Sequence, residues 1–222
     1  MTTNDATSEW PYIFIDGPGP VIIALHGTGG TEADAAPLAE ELLADAAVIA
    51  PRGRVTENGM SRWFRRLEEG VFDVDNVIVQ AESLRDFVER TIQERHLEGR
   101  PVITAGFSNG ANMGLALAIL HPDTVQGAVA FSGMYPLGDR EAPKDLTDRQ
   151  FLLLNGQRDA MAPASSVNRL EDQLHRRNAH VDRNIRPGGH GITPEELSTA
   201  RGWLQALQQD IPEPLVRGAS GE

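Results

Sequence analysis

The sequence contains no cysteine. That excludes a disulfide framework, a thiolate nucleophile and any cysteine-ligated metal site. Lysine is almost missing as well: Lys144 stands alone beside 19 arginines. A GC-rich coding sequence accounts for this bias, and adaptation to salt, where a carboxylate-rich surface aids solubility, is the sharper alternative. Positive charge is scarce overall, with 20 basic against 32 acidic residues and a formal net charge of −12. Such a surface repels a polyanion, which excludes nucleic acid as a partner. No apolar run approaches membrane-spanning length. The first residues, M-T-T-N-D-A-T-S-E-W, lack both the basic and the apolar region of a signal peptide. The expectation is a cytoplasmic protein without a membrane span.

At 222 residues the chain is long enough to bury one substantial core, and a single domain over 1–222 is the natural count. Its two ends, 1–9 and the Pro-, Gly- and Ser-containing stretch 211–222, are expected to be loosely held. Between them apolar runs alternate with helical patterns. Strands are expected at Tyr12–Ile15, Val21–Leu25, Ala47–Ala50, Val102–Ala105, Gly127–Phe131, Phe151–Leu154 and Val181–Ile185. Helices are expected at Glu32–Ala44, Val74–His96, Asn109–Leu120, Ala164–Asn178 and Pro194–Gln208. Thr193, Pro194 and the acidic pair Glu195 and Glu196 start the last helix with a cap, a proline at its first position and charge suited to the dipole. Near-continuous apolar strands separated by helices imply an α/β fold: a mostly parallel sheet of about seven strands, helices on both faces. Ligands of such sheets bind at the carboxyl ends of the strands.

The most informative segment is A-G-F-S-N-G-A, Ala105 to Ala111. It follows a short β-branched run and opens a helix rich in small residues. A serine at a strand-to-helix turn, flanked by Gly106 and Gly110, is the pattern of a nucleophile elbow. The turn is so tight that a Cβ at either flank would clash, and the helix N-terminus behind Ser108 favours developing negative charge.

A serine hydroxyl needs a base, and the base needs an orienting acid. In the chain order Ser, acid, His, the candidate bases are His175, His180 and His190. His175 lies in a helix and His180 precedes a strand at the wrong end of the sheet. His190, in P-G-G-H-G, sits in a loop after the last strand and is the base expected. Asp159 is the only carboxylate in the loop after F-L-L-L and is the acid expected, a turn or cap aspartate being the alternative. A tetrahedral oxyanion needs two donors: the Asn109 N–H, directly after the serine, and one from an earlier loop. L-H-G-T-G-G, Leu25 to Gly30, fits the second, with Thr28 the donor by position. His26 is expected to shape that loop by a hydrogen bond. No cluster of histidines and carboxylates has ligand spacing, so neither metal nor organic cofactor is expected.

With these residues assembled, the chain resembles the bacterial phospholipase/carboxylesterase family of α/β-hydrolases, relatives of the acyl-protein thioesterases, in its carboxylesterase or hydroquinone-responsive branch. The likeness runs from about Val21 to Leu207, through L-H-G-T-G-G, P-R-G (Pro51–Gly53), E-N-G-M-S-R-W-F-R-R (Glu57–Arg66), G-F-S-N-G-A-N (Gly106–Asn112) and G-G-H-G (Gly188–Gly191). The resemblance implies a triad of Ser108, Asp159 and His190, oxyanion donors at Thr28 and Asn109, little or no lid, and hydrolysis of short acyl esters. Acyl thioesters and lysophospholipids are alternatives on the same triad, and non-catalytic binding of a phenolic or quinone ligand is a third reading. A small-molecule ester is the partner implied, and a homodimer is compatible with the sequence.

The walls of a pocket are harder to place. The long connection Pro51–Phe72 carries Met60, Trp63 and Phe64, and Met134 and Met161 follow strand ends. Each suits core packing as well as ligand contact. Where the family commonly has two phenylalanines, this chain has Trp63 and Phe64, so pocket shape does not carry over. Arg62, Arg65 and Arg66 either hold an anionic group of the substrate or pair with Glu57, Glu68 and Glu69.

Overall fold

The computed structural model describes residues 10–68 and 70–210; both tails and Glu69 lie outside the described residues. A seven-stranded sheet has the order β1-β3-β2-β8-β9-β10-β11. Its strands are β1 (Tyr12–Ile15), β2 (Val21–Leu25), β3 (Ala47–Pro51), β8 (Val102–Phe107), β9 (Gly127–Phe131), β10 (Gln150–Gly156) and β11 (His180–Arg186). All neighbours are parallel except the edge pair β1 and β3. Five helices complete the layers: α1 (Glu32–Leu42), α2 (Val74–Glu94), α3 (Asn109–Leu120), α4 (Ala164–His175) and α5 (Pro194–Asp210).

The continuous apolar strands are explained by burial on both faces. Alternate residues point to opposite sides of a strand. Thus Val21, Ile23 and Leu25 join one core cluster with Val77, Leu84 and Val88 of α2, Met113 of α3 and Leu170 of α4. Ile22 and Ala24 join the other with Ala35 and Ala39 of α1 and Ala200 and Leu204 of α5. The expected helix ends move for local reasons. Leu43 is extended (φ −154°), which stops α1, and Asn178 is left-handed (φ 66°), which ends the turn after α4.

The connection after β3 is not an irregular loop. It folds into two antiparallel hairpins, β4 (Val55–Glu57) with β5 (Met60–Arg62) and β6 (Arg66–Glu68) with β7 (Val71–Phe72). Their short strands alternate too few residues to be read from periodicity.

Close approach of α3 to the sheet organises the strand ends. Every residue of α3 from Asn109 to Ile119 is buried. A Cβ on Gly110 would lie 2.2 Å from Leu25 O, and one on Gly106 would lie 2.7 Å from the Gly110 carbonyl carbon. Neither neighbour is a side chain that can swing away. Gly110→Ala is therefore expected to lower stability by at least about 2–3 kcal/mol, read as a reduced urea midpoint with unchanged slope. A midpoint equal to wild type would show that the helix can lift off the sheet at little cost.

Candidate active site

The chain leaves β2 in one direction to form β3 and returns across it to form β8, so the topological switch lies between β2 and β8. Leu25 pairs in register with Gly106, which sets the loop after β2 beside the turn after β8. Ser108 sits in that turn with φ 55° and ψ −116°, a backbone conformation that costs a non-glycine residue energy. Its amide is anchored on Phe131 O at 2.9 Å. The side chain is thereby held above the helix N-terminus.

The other partners follow β10 and β11, which pair from Gln150–His180 to Gly156–Arg186. His190 reaches Ser108 from three strands away, roughly 14 Å of sheet. Its Nε2 is 2.8 Å from Ser108 Oγ, and its Nδ1 is 2.8 Å from Asp159 Oδ2. Asp159 is buried, and its Oδ1 accepts from the N–H groups of Met161 (2.9 Å) and Ala162 (3.1 Å). With the carboxylate accepting, Nδ1 carries the proton and Nε2 is free to accept from the serine. His175 and His180 are exposed and far from this chain of bonds in the fold.

The loop that carries His190 is braced rather than slack. Arg186 donates to Gly189 O (2.9 Å) and Gly191 O (2.8 Å) and pairs with the buried Glu196 at 2.7 Å. Glu196 also accepts from Thr193 N–H (2.9 Å) and its own N–H donates to Thr193 Oγ1 (3.2 Å), a reciprocal helix cap. Arg158 N–H donates to Gly188 O (2.7 Å), tying the Asp159 loop to the His190 loop. The cap is legible in T-P-E-E; the role of Arg186 is not, because its acceptors, two loop carbonyls and the Glu196 carboxylate, meet it only in the folded chain.

Thr28 and Asn109 stand on either side of Ser108 in the same cleft. Their N–H groups have no acceptor among the described residues, whereas the adjacent Gly29 and Gly30 N–H groups bond to Ser61 O and Gly27 O. His26 shapes this loop: Nδ1 donates to Gly27 O (2.7 Å) and Nε2 accepts from Gly53 N–H (2.9 Å). That pattern requires a neutral ring, and burial holds its pKa below the ordinary histidine value.

The cleft around Ser108 is small, about 40 Å³, and includes Arg62, Arg66, Phe72, Asn112, Met134 and Met161. Met60, Trp63 and Phe64 do not line it. Met60 instead packs on Gly29, with 40% of its surface exposed. Trp63 and Phe64 are fully buried. Trp63 stacks on Trp10 (6.0 Å between centroids), and its N–H groups donate to Asn109 Oδ1 and His26 O, both at 2.8 Å. Phe64 meets Phe72 edge to face at 4.9 Å. A satisfied indole N–H and a place in the main apolar core hold these rings inside. Arg62, Arg66, Asn112 and Phe72 gained their place in the cleft from the hairpins and α3. A larger cavity, about 730 Å³, lies at the opposite end of the sheet near Pro101, Gln126 and Gln150. Among the described residues neither serine nor histidine lines it, so cavity size does not locate the hydrogen-bonded serine and histidine.

Fold and site together define an α/β-hydrolase with a hydrogen-bonded serine, histidine and aspartate at its strand ends. The phospholipase/carboxylesterase family model matches residues 15–208, and the chain belongs to that family. MhqD of Bacillus subtilis strain 168 is 34% identical over 185 residues, covering 83% of this chain and 92% of that protein. Acyl-protein thioesterase 1 of Debaryomyces hansenii is 33% identical over 95 residues, 40% of this chain and 41% of its own. The crystal structure of the Bacillus cereus carboxylesterase superposes with a TM-score of 0.85 at 32% identity, over 90% of this chain and 96% of the other. That of a carboxylesterase from Mesorhizobium loti gives 0.81 at 28% identity, over 92% and 98%. No helix among the described residues is long and apolar enough to cross a membrane.

Two outcomes follow from this geometry. Trp63→Ala is expected to cost about 3–5 kcal/mol of stability in denaturant melts, as a core truncation does. For His26 the depressed pKa sets the sign: the unfolded chain takes up a proton that the folded chain refuses. Its contribution is therefore complete above pH 6.5 and is lost as pH falls below that value. His26→Gln should be less stable than wild type at neutral pH by about 1–3 kcal/mol, with the gap narrowing in acid. A gap that stays constant between neutral and mildly acidic urea titrations would mean that His26 titrates normally.

Proposed function

We propose that this chain is a serine carboxylesterase acting on short-chain acyl esters, with Ser108 as nucleophile, His190 as general base and Asp159 as the orienting acid. The observation that carries it is the continuous Ser108–His190–Asp159 chain, 2.8 Å at each link, beside the free N–H groups of Thr28 and Asn109. Ser108 Oγ attacks the ester carbonyl carbon while His190 Nε2 takes its proton. The N–H groups of Thr28 and Asn109 receive the oxyanion, and Asp159 stabilises the imidazolium. Collapse breaks the bond to the leaving oxygen, which takes the proton from His190 and departs as the alcohol. Water then gives a proton to His190 and attacks the acyl carbon. Release of the acid returns the proton to Ser108.

The small cleft favours short acyl groups over long ones. Thioester and lysophospholipid hydrolysis would run on the same triad, but a long acyl chain needs an extended apolar channel, and Phe72, Met134 and Met161 are the only large apolar residues lining this small cleft among the described residues. The hydrogen-bonded fit of Ser108, His190 and Asp159 favours an enzyme over a non-catalytic binder of phenols or quinones.

Ser108→Ala should lower kcat on p-nitrophenyl acetate by about 10⁵–10⁶-fold while leaving the thermal melt close to wild type. Wild type should also prefer acetyl and butyryl to octanoyl esters. Activity within tenfold of wild type in the folded variant would remove Ser108 from the mechanism.

A further inference from the structure

Glu57 is one carboxylate placed between two guanidiniums. Its Oε1 accepts from Arg66 Nε at 2.8 Å, and Arg62 Nε lies 3.0 Å from Oε2. The Arg62 N–H is directed at Phe64 O (3.3 Å), so Glu57 Oε2 is near a cation but forms no hydrogen bond among the described residues. Arg65, by contrast, is turned outward onto Asp73 at 3.0 Å. Both Arg62 and Arg66 line the cleft with Ser108, and among the described residues no carboxylate does. Burial pulls the Arg62 pKa down, yet a guanidinium stays charged at any working pH. Glu57 and Asp159 balance these two cations in number, but it is the guanidiniums of Arg62 and Arg66 that line the cleft itself.

The neutral groups in the cleft have the same sense. Asn109 Oδ1 accepts from Trp63 N–H and Asn112 Oδ1 from Met134 N–H, both at 2.8 Å. Those bonds fix the orientation of each amide and leave its NH₂ uncommitted. Asn109, 3% exposed, has its Nδ2 buried with no acceptor among the described residues. Thr28 Oγ1 is occupied by Arg62 Nη1 at 2.9 Å. The cleft thus offers donors and cations, with its acceptors already spent. A wholly apolar ester would leave these donors desolvated and unpaired, which costs binding.

Resting on the serine-esterase reading, we infer that the substrate is an ester carrying a carboxylate a few bonds from the scissile carbonyl, held chiefly by Arg66 with the Asn109 and Asn112 amides. This class includes half-esters of dicarboxylic acids, with the charge on the acyl side, and O-acylated hydroxy acids, with the charge on the alcohol side. Hydrolysis consumes one water and yields a free carboxylate and an alcohol in either case. The small cleft keeps the anion close to the reacting carbon.

Two matched pairs test it by acid release at constant pH. Monomethyl succinate against methyl pentanoate reads the acyl side, and acetoxyacetate against propyl acetate reads the alcohol side. The readout is the ratio of kcat/KM, anionic over neutral, in wild type, Arg66→Gln and Glu57→Gln. In at least one pair the ratio should fall by about tenfold or more in Arg66→Gln and rise in Glu57→Gln. It should also fall with added salt in wild type. A merely structural role for Arg66 would lower both members of a pair alike. If neutral esters are hydrolysed through Ser108 while both ratios stay unchanged in both variants, the anion site is wrong and the esterase reading stands. If wild type turns over no ester, the esterase reading fails, and calorimetric binding decides the anion site. Monomethyl succinate bound in preference to methyl pentanoate, with the preference lost in Arg66→Gln, supports it; no preference overturns it. Should Arg66→Gln not fold, the Glu57→Gln ratio decides alone: a rise supports the anion site, and no change overturns it.

Discussion

The structure depends on one close approach: the first turn of α3 against the carboxyl ends of β2 and β8. Gly110 lies over the carbonyls of Leu25 and His26, and Gly106 lies under the turn that follows it. No side chain fits at either contact. That contact forces Ser108 into its left-handed backbone conformation and puts the Thr28 loop at its side. The energy stored there is held by the surrounding core, since α3 is buried over nearly its full length.

Geometry at the serine would be of little use if the histidine loop could drift. His190 arrives from the far edge of the sheet on a segment containing Gly188, Gly189 and Gly191. Glycines allow the path but do not hold it. The hold comes from Arg186 and Glu196, a mostly buried ion pair whose members also bind the loop carbonyls and the cap of α5. Breaking such a pair on one side leaves a desolvated charge, which costs about 3–5 kcal/mol. The same pair fixes where α5 begins and where His190 stands, so helix docking and the position of His190 are one constraint.

Polarity in the cleft is decided by who takes the acceptors. Backbone N–H groups of Trp63 and Met134 claim the amide oxygens of Asn109 and Asn112. Trp63 is thus a wall of the core and, through its amide, an orienting group for the cleft. Its burial beside Trp10 and His26 removes it from substrate contact while keeping it necessary to the site.

The sequence by itself determined the seven strands of the main sheet, the five helices, the elbow and the order in which Ser108, Asp159 and His190 occur. These rest on local rules: side-chain period, turn chemistry, and glycine where a Cβ cannot fit. It also marked Asp159 and His190, because each follows a strand and parallel strands end on one side of the sheet. Only the tertiary structure decided that Trp63 and Phe64 point inward while Arg62 and Arg66 turn toward the cleft. Their partners, Trp10, His26, Asn109 and Phe72, are brought there by other elements, and a three-residue strand carries no period from which to read a face. The same holds for Arg186 and for the free amide donors. A hydrogen-bonding group's role depends on which distant group reaches it first, and that is settled by how the elements pack.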